Sequence, residues 1–289
     1  MPLTSAKTIY QQIFEATEPL YGDREANSLA TAYLFDRWHI DRIKLSMNLE
    51  LAVDERMLKS DLRKLQQGMP LQHVVGFQEF FGHKFQTNHH ALIPRPETEE
   101  LVEWVIESIS DLHPELDSGS TLNLLDIGTG TGCIPICLDL AYDHITCHGI
   151  DVSKEALTLA DRNAKRLGSN ASFGELNILN ESLEAQSFEI IVSNPPYIPE
   201  RDKAQMHKNV LDFEPGLALF VSNEDPLIFY RIIAQKAAKA LKSEGLLFLE
   251  IHEAFGEKVM DLMRKEGFKA IELRQDINGK DRMIKASKI

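Results

Sequence analysis

The chain is poor in cysteine and has no arrangement of it that builds a metal site or a disulfide framework. Cys133, Cys137 and Cys147 are the only three in 289 residues, and no two are spaced as Cys-x-x-Cys. Zinc ribbons and small disulfide-stapled folds are thereby excluded. Each thiol is expected to be a small core side chain in a reducing compartment. No apolar stretch approaches the roughly 18 residues that a membrane span needs. The amino terminus, Met1-Pro2-Leu3-Thr4-Ser5, carries no basic segment leading into an apolar run, so no secretory leader is expected. Internal repeats and low-complexity tracts are lacking as well. Together these absences predict a cytoplasmic globular protein without membrane contact.

Basic residues are the second shortage. Thirty-one Lys and Arg face 44 Asp and Glu, a net charge of −13, which argues against a protein whose affinity comes mainly from phosphate contacts. The imbalance is uneven. Residues 1–75 hold nine basic against ten acidic side chains, whereas the remainder holds 22 against 34. An acidic carboxy-terminal portion suits a cationic ligand or a basic protein partner better than a nucleic acid, and it serves solubility equally well. At 43% apolar and 26% charged, the composition is that of an ordinary globular protein, and its length can hold two domains.

The amino-terminal 75 residues read as helices. Ala26, Leu29, Ala30, Tyr33 and Leu34 recur at helical spacing behind Asp23, placed as an N-cap. Leu58, Leu62 and Leu65 mark a helix after Asp54, and Ile9, Ile13 and Phe14 an earlier one, the series ending at Gly68-Met69-Pro70. No titratable cluster there suggests chemistry, so residues 1–75 are expected to form a small helical domain for packing or partner recognition. Phe77–Phe81 and Lys84–Thr87 read as two strands around Gly82-His83, a hairpin linking domains within 76–93. His83, His89 and His90 lack metal-ligand spacing and are expected on loops. Over 94–289 strands and helices then alternate. Strands are placed near 122–126, 146–150, 171–175, 188–193, 245–251, 269–273 and 282–286, and helices near 98–112, 132–141, 153–167, 225–242 and 255–266. That order implies an α/β fold, a mostly parallel sheet covered on both faces. The Asn278-Gly279 turn should make its last two strands antiparallel.

Two stretches carry chemistry. Leu122–Asp126 is a strand running into Ile127-Gly128-Thr129-Gly130-Thr131-Gly132, where alternate glycines permit a tight turn and close ligand approach. A helix start beyond Gly132 offers free N–H groups. Asp126, beneath the turn, is positioned to hold the loop or to meet a ligand's amino group. The next strand ends in Asp151, where a carboxylate can accept from ribose hydroxyls or cap the following helix through Asp151-Val152-Ser153. The second stretch follows Phe188–Val192, a short apolar run rich in β-branched residues. Ser193-Asn194-Pro195-Pro196-Tyr197 stops it, because neither proline can donate to a ladder. An amide, free carbonyls and an aromatic ring are so displayed at the carboxyl end of a strand, where open α/β sheets bind ligands.

Together these residues resemble a class I S-adenosylmethionine-dependent methyltransferase, with its Rossmann-like, seven-stranded, mostly parallel sheet. Taken with Leu92–Glu99 ("PRPETE"), Gly149-Ile150-Asp151, Glu214-Pro215 with Ala218-Leu219, Gly279–Arg282 and the helical amino-terminal domain, the whole chain resembles the release-factor glutamine methyltransferases. The Asn-Pro-Pro-Tyr tetrapeptide by itself is shared with amino-directed DNA and RNA methyltransferases. The resemblance implies S-adenosylmethionine as cofactor, with Asp126, Gly128, Thr129, Gly130, Thr131, Gly132, Asp151, Ile178 and Asn194 around it. It implies Asn194, Pro195 and Tyr197 as catalytic residues and Asn194–Tyr197 as the substrate clamp. The acceptor is then a glutamine side-chain nitrogen (N5) of a peptide chain release factor, the enzyme a monomer, and neither metal nor direct nucleic-acid contact is required. The alternatives are an adenine-N6 nucleic-acid methyltransferase and a glutamine methyltransferase of a ribosomal protein. One departure stands out: Glu250-Ile251-His252 replaces the family's common Glu-Ile-Gly.

Overall fold

The computed structural model describes residues 2–112 and 121–288, which fall into two compact units.

The first unit comprises residues up to Phe77 together with Met206–Phe213. It holds β1 (Leu3–Ser5), α1 (Ala6–Trp38), α2 (Arg42–Ser46), β2 (Glu50–Ala52), α3 (Glu55–Gln66), α4 (Leu71–Val75) and, from the later segment, α8 (Lys208–Phe213). Ile9, Ile13, Ala30, Tyr33, Leu34, Leu58 and Leu65 pack as its core, as their helical spacing requires. Asp54 caps α3, accepting from the N–H groups of Arg56 and Met57. Asp23 does not start a separate helix by its side chain. The break lies at Gly22, whose φ of 74° interrupts α1, a conformation open to glycine at no steric cost. Sequence periodicity also gave no reason to detach residues 206–213 from the carboxy-terminal domain. They are joined to the helical unit by stacking of His207 on Tyr21, with ring centroids 5.0 Å apart.

The second unit spans Gln78–Gln205 and Glu214 onward. A hairpin of β3 (Phe77–Phe80) and β4 (His83–Gln86) leads into α5 (Pro96–Leu112). Then follow β5 (Leu122–Ile127), α6 (Cys133–Ala141), β6 (Ile145–Asp151), α7 (Lys154–Leu167), β7 (Ser172–Glu175) and β8 (Phe188–Ser193). Two short strands, β9 (Ile198–Pro199) and β10 (Phe220–Val221), pair in parallel around α9 (Gly216–Leu219). The chain ends with α10 (Ile228–Ala240), β11 (Leu241–Glu250), α11 (Gly256–Lys265), β12 (Lys269–Gln275) and β13 (Asp281–Ser287). The seven-stranded sheet has the order β12-β13-β11-β8-β5-β6-β7. Its pairings are parallel except those that β13 makes with β11 and β12. Helices α5 and α6 bury Trp104, Ile136 and Leu138 on one face, while α10 and α11 bury Ile233, Val259 and Met263 on the other. The strand and helix positions read from the sequence hold to within a few residues.

The topology positions the site. From β5 the chain winds outward through β6 to β7, then returns to lay β8 on the opposite side of β5. The strand order reverses between β5 and β8, and a crevice opens at their carboxyl ends. Register pairs Ile127 with Ser193, so the glycine turn after β5 and the Asn-Pro-Pro-Tyr loop after β8 emerge side by side.

Candidate functional site

The crevice is a cavity of about 330 Å³, lined among others by Gly128, Thr129, Gly130, Asp151, Ile178 and Asn194. That volume suits a small organic ligand. Gly128 has a φ of 77°, and a Cβ built on it would meet no atom within 4 Å. Its missing side chain leaves the backbone bare toward the cavity. Gly132 serves differently. A Cβ there would lie 3.0 Å from both Ile136 and Phe173 and 3.1 Å from Ala160. Gly132 is not among the lining residues; it lets α6 seat closely on α7 and β7. Gly149 is fixed by the same kind of crowding, since its Cβ would stand 2.5 Å from Thr129 Oγ.

The turn is held by backbone and by Asp151. The N–H groups of Gly128 and Thr129 both donate to the Ile150 carbonyl, at 2.8 and 3.0 Å. Asp151 Oδ2 accepts from the Gly130 N–H at 3.0 Å and Oδ1 from the Ser153 N–H at 2.9 Å. The N-cap of α7 is Ser153, which accepts from Ala156. Asp151 therefore ties the loop to the start of α7 without being the cap. Its carboxylate, with about four lone-pair sites, keeps acceptor capacity for a ligand. Asn163 fastens the far side, donating to the Thr131 and Gln86 carbonyls at 3.0 and 3.2 Å.

Asp126 lies beneath this loop, 1% exposed, and neither carboxylate oxygen has a hydrogen-bond partner. It does not line the cavity. Burial pushes its carboxyl up to about 7; the Thr129 hydroxyl alongside opposes that rise without completing a hydrogen bond, and the charge of Asp151 adds to it. Ile178 is buried in the cavity wall with Leu176, Phe229 and Ile233 nearby. The Lys236 amine holds its loop by donating to the Ile178 and Glu181 carbonyls.

On the other wall Asn194, Pro195 and Pro196 line the cavity and Tyr197 does not. The Tyr197 hydroxyl instead donates to Glu250 Oε1 at 3.0 Å. Burial and then Glu250 push the phenol well above its ordinary range. Asn194 Nδ2 donates to Thr98 Oγ at 3.0 Å, and Thr98 Oγ donates to Glu250 Oε2 at 2.7 Å. His252 stays outside the cavity, half-buried between Tyr197 and Phe255 with centroids at 6.1 and 4.9 Å. Its backbone N–H donates to the Tyr230 hydroxyl at 3.1 Å.

A further pair closes the rim. Arg95 Nη2 lies 2.6 Å from Glu214 Oε1, while Glu214 Oε2 accepts from the Ile93 N–H at 3.1 Å. Reading the sequence singled out Arg95 and Glu214 separately and missed that they meet, because 119 residues separate them. Thr98 and Glu250 were likewise read as a helix start and a strand end.

The donor set fits a sulfonium nucleoside. The cavity offers bare backbone at Gly128, an acceptor carboxylate at Asp151 and an apolar wall at Ile178.

Residues 110–213 match the family model described as the methyltransferase small domain. A release factor glutamine methyltransferase from Flavobacterium psychrophilum is 39% identical over 284 residues, covering 97% of this chain and 98% of its own. Those from Bacteroides thetaiotaomicron and Bacillus subtilis are each 35% identical, covering 96% of this chain and 98% and 97% of theirs. The crystal structure of a methyltransferase from Pyrococcus furiosus covers 72% of this chain and 90% of its own, at 17% identity and a TM-score of 0.48. With identity of this degree along nearly its whole length, the chain belongs to the release factor glutamine methyltransferase family.

Proposed function

We infer that the protein transfers a methyl group from S-adenosylmethionine to the side-chain amide nitrogen of a glutamine in a peptide chain release factor. The observation that carries this reading is the placement of Asn194 and Pro195 on the wall of the cavity that the glycine turn and Asp151 open into. When bound, S-adenosylmethionine supplies an electrophilic methyl on a sulfonium.

The chain's own task is positioning. An amide nitrogen is a weak nucleophile because its lone pair is delocalised into the carbonyl. Asn194 Oδ1 and the Pro195 carbonyl are two acceptors for the two amide hydrogens, and accepting both turns the remaining lobe of nitrogen toward the methyl. Gly128 and Asp151 hold the donor at the opposite side. Preorganisation of this kind supplies up to roughly 7–11 kcal/mol in model reactions. No side chain is needed as a strong base, since the nitrogen becomes acidic only as it is alkylated and its proton leaves to water. Tyr197, tied to Glu250, stiffens the clamp rather than covering the substrate. The amino-terminal helical domain, with the 76–93 hairpin as its linker, serves recognition of the protein substrate, and the enzyme works as a cytoplasmic monomer.

Paired substitutions test the assignment. Asn194→Ala should remove transfer while leaving S-adenosylmethionine affinity by calorimetry within about threefold. Asp151→Ala should weaken that affinity by tenfold or more, from about 1.4 kcal/mol upward. Equal loss of affinity in both variants would refute the division of labour.

A further inference from the structure

Outside the cavity-lining carboxylate, the second unit buries a glutamate that the transfer reaction does not touch. Glu250 ends β11 at 1% exposure, and Thr98 opens onto it from the first turn of α5 at 3%. They are 152 residues apart in sequence, yet Thr98 Oγ donates to Glu250 Oε2 at 2.7 Å. Thr98 also takes the Nδ2 hydrogen of Asn194 at 3.0 Å.

The direction of each hydrogen bond follows from what each group is able to give. An ionised carboxylate only accepts. Glu250 therefore takes the single hydroxyl hydrogen of Thr98 on Oε2 and that of Tyr197 on Oε1. With its hydrogen committed, Thr98 Oγ has only lone pairs left for Asn194. It must face the amide's NH₂ end, and Oδ1 must take the other side. Of the two ways an asparagine amide can sit at position 194, this relay permits one.

We propose that Glu250, acting through Thr98, is the positioning residue that sets the Asn194 amide with its oxygen toward the acceptor, and that it anchors Tyr197 in the same stroke. This rests on the reading of Asn194 as the acceptor clamp. A flipped Asn194 presents two donors to a substrate NH₂ that is itself a donor, and the clamp repels what it is built to hold. Burial pushes the Glu250 carboxyl up, and the hydroxyls of Thr98 and Tyr197, then the charge of Arg282, work against that rise. Arg282 is itself fixed by Asp276, to which its Nε donates at 3.0 Å.

The test uses the full-length enzyme, unmodified release factor and S-adenosylmethionine. Thr98→Val keeps the shape and removes the hydroxyl; Thr98→Ser restores the hydroxyl without the methyl. Glu250→Gln replaces an acceptor-only group by one that also donates. The relay predicts that kcat falls about 10- to 100-fold in Thr98→Val and Glu250→Gln, the scale of a misplaced reacting group. Cofactor Kd should stay within about threefold, and Thr98→Ser should recover most of kcat. Unchanged kcat in Thr98→Val, or equal loss in Thr98→Val and Thr98→Ser, overturns the relay. If Asn194→Ala itself retains activity, it is the clamp reading that fails, and the outcomes are separable on one set of assays.

Discussion

The carboxylates at the ends of β5 and β6 show how burial separates chemically identical side chains. Asp126 is enclosed without a partner, Asp151 is tied to two backbone N–H groups at the cavity wall. With its folded pKa raised from 3.8 to about 7, Asp126 binds a proton in the native state that the unfolded chain has already lost between those values. Stability from this group therefore falls as pH rises through that window and is not recovered above it. Asp126→Asn should leave the melting temperature nearly unchanged at pH 4.5 and raise it at pH 8. The difference is a few kcal/mol at most, at about 1.4 kcal/mol for each tenfold change in proton affinity. Parallel melting curves across that range would contradict it. From sequence, both residues are legible as strand-end carboxylates beside a glycine turn. Which one meets solvent is not, because that depends on which face of β5 the side chain takes and on what α6 lays over it. Gly132 teaches the same lesson. Its spacing suggests ligand approach, yet Ile136, Phe173 and Ala160 are what exclude a side chain there.

At the scale of elements, the strand–helix alternation is read almost whole from hydrophobic pattern, since buried parallel strands are short apolar runs and amphipathic helices repeat at 3.6 residues. The loops are where sequence falls short. The rim of the cavity is built by two of them, Ala91–Arg95 and Glu214–Ala218, joined by the Arg95–Glu214 pair. Glu214 is buried to 1% of its side-chain surface and Arg95 to 33%. Removing the guanidinium strands a buried carboxylate. Arg95→Ala should therefore cost about 2 kcal/mol of stability, discounted from the fully buried case because Arg95 is one-third exposed. It should also raise the KM for S-adenosylmethionine more than it lowers kcat. Thermal denaturation and steady-state kinetics at varied cofactor measure the two effects, and a variant with wild-type KM would show that the rim does not shape the cavity. Such a contact was invisible in advance because pairing at long range is decided by topology, not by local spacing.

For the whole molecule, charge and family agree. A net charge of −13 opposes nucleic-acid binding through phosphates, and the relatives that match along nearly the full chain are named for a protein substrate. Among the described residues no helix is long and apolar enough to cross a membrane, and no group of three or more side chains is arranged to hold a metal. The sheet's switch point opens a cavity lined by Gly128, Asp151, Ile178 and Asn194. A single proline-stiffened loop, with Asn194, Pro195 and Pro196, lines the same cavity. The most direct measurement is peptide mass spectrometry after incubating the protein with S-adenosylmethionine, unmodified release factor, and adenine-containing DNA and RNA in one reaction. The expected result is one added methyl group on the side-chain nitrogen of one release-factor glutamine, absent with Asn194→Ala, and unmodified bases. A methylated adenine beside an untouched release factor would overturn the acceptor assignment.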